Sequence, residues 1–426
     1  MKNYKYVVMS LLLLAVFFFQ PTKASAVDNV NFEFYYQTIE DIKTINEPID
    51  DDDSLWEKGK KLFKSGVNAV KRTWENVVTR NLTLDEGDST WYSSEDHNIA
   101  YNVKRVKVTS EAELLAAMGA KSESELSNGQ KALLATFRQA NSETVANRAK
   151  DSYRSKVNVI LSDTTGFEDA KKYPTVRKDF WSYSSGFTIQ MCSNNYKGAN
   201  GPADAASTFV HEYAHSMDMT VKELINPYGK DGDHYANEIT GPRSAFVEAW
   251  AEYNEMIESP SEAKYYQNCC NKLMLESKDV AGEYTYLKPE ECTGEQLLNC
   301  ECYLACILYR ITNECENGRE KVFEAFTDTR WKIFRDASTL IKRIIKNNPE
   351  DAAKIAKIVD EVTLGKLSDK ELLDMVGKTE ATKAYASNRG AAVEEDTTTV
   401  NNEIKAEAAA EVLNVETESD NPFSVR

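Results

Sequence analysis

The sequence predicts an α+β fold in which a small twisted sheet packs on one central helix and a helical C-terminal portion follows. Three observations carry this expectation. Strand-like segments occur at Val103–Val108, Lys156–Leu161 and Phe187–Met191. A strong helix, apolar on most sides, begins at about Ala205. Beyond Pro260 the pattern is almost entirely helical to about Met375. A chain of 426 residues exceeds one average domain, and its 42% hydrophobic content is ample for a sizeable core. The formal charge of −17 argues against nonspecific attraction to nucleic acid or anionic lipid.

Residues 1–26 are expected to be a signal peptide. Lys2 and Lys5 open it, Val7 to Phe19 is nearly all apolar, and Ala24-Ser25-Ala26 offers a small-x-small cleavage pattern. The apolar run is shorter than the roughly 20 residues that a membrane span needs. A secreted protein with no stable membrane anchor after signal removal follows from this reading.

Residues 27–96 form a loosely patterned N-terminal segment. It holds the acidic run Asp50–Asp53 and an amphipathic stretch from Leu55 to Val78, with Trp56, Leu62, Phe63, Val67, Val70, Trp74 and Val77 at helical spacing. A helix packed on the main domain and a removable pro-segment are both open.

Residues 97–260 are expected to form one domain of mixed strand and helix pattern. Val103 to Val108 alternates as a half-buried strand does. Ser110 and Glu113 form a capping box that opens a helix to about Met118, and a second helical run covers Glu125 to Lys150. After the strands at Lys156 and Phe187, the Gly- and Asn-rich stretch Asn194–Asp204 is a loop.

Residues 261–385 are Cys-rich and helical, with a further capping box at Ser368 and Glu371. Seven of the eight cysteines lie between Cys269 and Cys315, while Cys192 stands alone. Cys300, Cys302 and Cys306 lack paired C-x-x-C spacing and have no nearby His. In an exported chain, local disulfides are therefore expected here rather than a metal site. Residues 386–426, dominated by Ala, Glu, Thr and Asn, are expected to be a disordered acidic tail.

The chemistry concentrates at His211-Glu212-x-x-His215. Residues four apart share one helical face, so both imidazoles can reach an ion about 2 Å away. Glu212, one position along, can touch a water on that ion and take its proton. Only four histidines exist in the chain, so this placement is specific. Ala206, Phe209, Val210, Tyr213, Ala214 and Met217 make the helix apolar on most sides, and burying two His and a Glu there is costly unless metal or partners satisfy them. One Zn2+ per chain is the expected cofactor. A catalytic zinc also needs a third protein ligand. Glu248 and Glu252 share one face of a second apolar helix marked by Phe246, Ala249, Trp250 and Tyr253. One of these carboxylates is expected to bind the zinc while the other hydrogen-bonds a ligand His from outside.

His211-Glu212-x-x-His215 followed by Glu248-Ala249-Trp250-Ala251-x-Tyr253 resembles the gluzincin clan of metallopeptidases. In some aminopeptidases of that clan an Asn-Glu-Gly-Phe-Ala-x-Tyr helix supplies the third ligand, and Glu248 falls at its Glu, so the resemblance implies Glu248 as ligand with Glu252 as outer-sphere partner or alternative ligand. The opening His-Glu-x-x-His-x-x-Asp, ending at Asp218, is also similar to the catalytic domain of anthrax lethal-factor-like proteases. Matching that family's Phe-Ala-Glu-x-Phe to Phe246–Trp250 puts Ser244 at its ligand position, a departure from its pattern. Both resemblances cover about residues 205–255. They imply a zincin-like fold, a protein or peptide substrate, and an oxyanion donor between the two helices, where Tyr235 is favoured and His234 comes second. They also imply that the strand Phe187–Met191 edges the cleft and pairs with extended substrate. His97 has no expected role. A zinc-binding pseudoenzyme acting as an interaction or adhesion module is the rival reading.

Overall fold

A computed structural model describes residues 31–45, 86–93, 98–148, 156–167, 171–184, 188–218, 235–277, 282–329 and 336–396, with a few single positions between them. The signal peptide, nearly all of the 55–78 stretch, His97, Phe187 and His234 lie outside the described residues. The chain divides into two units: one holds residues 1–225 and 257–262, the other 226–256 and 263–426. No helix among the described residues is long and apolar enough to cross a membrane.

The first unit is built on a mixed sheet of β1 (Asn31–Thr44), β2 (Gly87–Tyr92), β3 (Ile99–Val108), β4 (Lys156–Asp163), β5 (Tyr183–Ser184) and β6 (Thr188–Cys192), in the order β2-β3-β1-β4-β6-β5. β1 runs antiparallel to β3 and parallel to β4, and β4 is parallel to β6. The α+β class is borne out, with a mixed rather than uniform sheet.

Two sequence boundaries move. β1 lies in the interior of the sheet, between β3 and β4, and β2 pairs with β3, so Asn31–Thr44 and Gly87–Tyr92 belong to the same sheet as the later strands. The strand was invisible because Phe34 to Tyr36 are buried in succession, and a buried run has no period-2 alternation. β6 is flanked on both sides, by β4 and by two residues of β5, so it is not a free edge.

Helices α1 (Glu111–Ala117), α2 (Asn128–Ala140), α3 (Glu143–Arg148), α4 (Val176–Asp179) and α5 (Gly201–Asp218) complete the unit. Ser110 caps α1 through the Glu113 amide, while the Glu113 carboxylate accepts from the Thr109 amide and hydroxyl rather than closing a reciprocal box. The helical run read from 125 to 150 is two helices, α2 and α3. Phe34 of β1 packs on Phe137 of α2 at 4.5 Å, and Phe32 meets Phe209 and Tyr213 of α5 at 5.7 and 5.2 Å. A separate cluster joins Ile39, Trp91, Tyr101 and Val103 to Val176 and Phe180, where Asp179 accepts from the Ser93 and Tyr101 hydroxyls.

α6 (Pro242–Glu258) and α7 (Pro260–Cys269), which belong to the second unit apart from residues 257–262, are followed by a hairpin, β7 (Leu273–Glu276) with β8 (Tyr284–Leu287), where the sequence reading had helix. Then come α8 (Gly294–Leu298), α9 (Glu301–Glu314), α10 (Gly318–Thr329), α11 (Ala337–Asn347), α12 (Ala352–Val362), α13 (Asp369–Val376) and α14 (Glu380–Asp396). The Ser368–Glu371 capping box forms as read. Helix α14 extends past residue 386, where the tail was expected to begin. Arg389 ties it down by donating to Asp360 and to the Leu367 carbonyl.

The expected disulfides are not formed, and all eight cysteines are free thiols.

Candidate metal centre

Helix α5 starts where Gly201 passes over the Tyr196 carbonyl; a Cβ there would overlap that oxygen, so glycine is required. Phe209, Val210, Tyr213, Ala214 and Met217 are all fully buried, as their spacing predicted. That burial fixes the rotation of the helix. It leaves His211 and His215 half-buried, with rings 4.7 Å apart at 79° and Nε2 atoms 3.1 Å apart. Glu212 is 8% exposed.

Helix α6 has Trp250 stacked on Phe326 of α10, ring centres 3.6 Å apart, and edge-on to Phe323. The Tyr253 hydroxyl bonds Thr312 of α9 at 2.7 Å. These contacts hold the helix by its apolar side. Glu248 is half-buried, whereas Glu252 and Glu255 are buried.

His211 and His215 present their facing ring nitrogens from one face of α5 and could together hold a metal ion. The donor set suits zinc. Two nitrogens about 2.0–2.1 Å from a tetrahedral ion stand about 3.3 Å apart, close to the observed ring-nitrogen separation. Without an ion the same spacing allows one imidazole to donate to the other. Binding therefore replaces a proton between the rings.

Glu252, one turn further along α6, is buried. Burial pushes its carboxyl well above the usual range, and the negative charge of Glu301 adds to this, with Cys300, Cys269 and Glu255 nearby. Four residues turn a helix through about 40° beyond one revolution and advance it about 6 Å. That step carries the two carboxylates into different surroundings.

Tyr235 is half-buried, opens the turn closed by the Glu238 amide, and sets its ring edge-on to Tyr284 of β8 at 5.8 Å. The backbone of Asp218 ends α5; its side chain lies outside the described residues. One aromatic escaped the sequence reading. Tyr196, in the loop before α5, is buried and donates to Ser182 Oγ at 2.9 Å. Burial raises its phenol above the ordinary value and the charge of Glu212 pushes the same way, so a neutral hydroxyl faces the field of that carboxylate. No local pattern marks such a loop residue.

Set against models of known families, against curated proteins and against solved structures, the chain shows no significant match.

Proposed function

We propose that this chain is an exported zinc metallopeptidase, with His211, His215 and Glu248 as ligands and Glu212 as the general base. The observation that carries the reading is the facing pair of imidazoles on α5 beside the buried Glu212 of the same helix. When bound, zinc would supply a Lewis acid for the scissile carbonyl and acidify water towards a pKa of about 7. The protein supplies the rest. The buried core of α5 holds the imidazoles at a fixed separation, which spares reorganisation when the ion binds. Glu212 accepts a proton from the attacking water and delivers it to the leaving amine.

The gluzincin-like pattern and peptide substrates belong to this proposal, as does export, which rests on residues 1–26. Tyr235 and His234 remain the proposed oxyanion donors, and Asp218 an outer-sphere residue. The test is zinc content and peptide-library cleavage, with Glu212→Gln beside the wild type. Stoichiometric zinc in both proteins with cleavage only in the wild type supports the reading. Zinc without cleavage in the wild type would identify a binding module instead, and a metal-free wild type would end the proposal.

A further inference from the structure

Between the end of α7 and the first turns of α9, four thiols gather. The sulfurs of Cys300 and Cys302 are 3.5 Å apart, and those of Cys270 and Cys306 3.8 Å. The Tyr303 hydroxyl donates to the Cys270 carbonyl at 2.9 Å, so the chain just after α7 is held against α9. The two pairs differ in kind. Cys300 caps α9 and Cys302 follows two positions later; both are fully buried, and burial pushes both thiols up. Protonated and enclosed, they are poor nucleophiles. Cys270 is half-buried, and the thiols of Cys302 and Cys306 stabilise its thiolate by hydrogen bonding, lowering its pKa to about 5. Cys306 is buried and raised, chiefly by its bond to Cys270. Cys270 thus touches two thiols of α9, those of Cys302 and Cys306, the latter at 3.8 Å.

We propose that Cys270 and Cys306 are a redox-active dithiol: Cys270 reacts with an external disulfide, and Cys306 then closes a Cys270–Cys306 bond from the end of α7 to α9. The Cys270 thiolate attacks one sulfur of R–S–S–R, forming a mixed disulfide and releasing one thiolate. Cys306 then attacks the Cys270 sulfur, displaces the second R–S, and its proton leaves with that group. Two protein thiols are oxidised and one disulfide is reduced to two thiols, so no further oxidant is required. This inference does not depend on the metal site.

The test uses the full chain, first reduced, then equilibrated with oxidised glutathione at neutral pH, with thiols counted and linked peptides mapped by fragmentation. The free-thiol count should fall from eight to six, with Cys270 joined to Cys306. Cys269→Ser and Cys302→Ser should still form that bond. Cys306→Ser should trap glutathione on Cys270 and form no internal bond, with circular dichroism confirming that it folds. Eight thiols retained in the wild type would overturn the proposal. So would a linked peptide joining Cys270 to Cys302, a result the wild-type map delivers even where a variant misfolds.

Discussion

The Nε2 atoms of His211 and His215 face each other across 3.1 Å on α5, near the separation of two ligands on one tetrahedral zinc. Glu248 of α6 is the proposed third ligand. Glu248→Ala should therefore lower zinc affinity by more than the roughly 10–100-fold typical of outer-sphere changes. Glu252→Ala should leave zinc near one per chain. Metal analysis after dialysis reads both. Loss of zinc in the Glu252 variant alone would reverse the assignment.

Glu252 also sets a pH dependence. Between the ordinary Glu range and its raised folded value, the folded protein keeps a proton that the unfolded chain has released. Stability is then fully present at low pH and falls as pH rises through that window. Glu252→Gln, neutral at every pH, should melt higher than wild type at pH 8 by about 2–4 °C, the shift produced by roughly 1 kcal/mol in a unit of this size. The difference should shrink towards pH 5. Thermal melts at the two pH values would expose a reversed order.

Trp250 is fully buried between Phe323 and Phe326. Trp250→Ala should cost about 3–5 kcal/mol, the range for truncating a large core aromatic. Because Trp250 lies two positions from Glu248, zinc binding should weaken as well. Denaturant unfolding combined with zinc titration would show whether the losses travel together.

Cys270 should alkylate faster than any other thiol in the folded protein. Its rate should level off above about pH 6, because a thiol lowered to about 5 is already largely thiolate there. Burial raises Cys292, Cys300, Cys302 and Cys315, so these should stay slow at neutral pH. Iodoacetamide labelling across pH 4–9 with site mapping measures this. A Cys270 rate still climbing at pH 8 would contradict it.

Arg389 joins α14 to Asp360 at 2.8 Å, with both side chains largely buried. Arg389→Ala should destabilise by about 1–3 kcal/mol, since Asp360 loses its charged partner. The Tyr385 hydroxyl, 3.0 Å away, stays as a partial replacement. Unfolding curves of the variant, and of a chain ended after 396, separate the helix from the tail: only the first should lose stability.

The parts of the fold that depend on near neighbours were legible. The apolar spacing in α5, the capping box at Ser368 and the strands at 103 and 156 are local patterns, and each forms where it was read. Elements stabilised by distant partners were not. β1 takes its place through Val103–Val108 on one side and Lys156–Asp163 on the other. The β7–β8 hairpin sits in a region of helical composition, and segment 237–240 reaches it through the Ile239 and Met274 amides.

The sequence by itself determined that His211 and His215 face each other, because four residues along a helix bring two side chains onto one face whatever the rest of the chain does. It also narrowed the third ligand to Glu248 or Glu252. Only the tertiary structure separated their surroundings, leaving Glu248 half-buried and burying Glu252 among Glu301 and the cysteines. The same holds for Cys270 and Cys306, 36 residues apart and neighbours only once α7 and α9 have packed. Helical periodicity states which residues share a face. Which surroundings a face meets depends on side chains far along the chain, and no short window of sequence contains them.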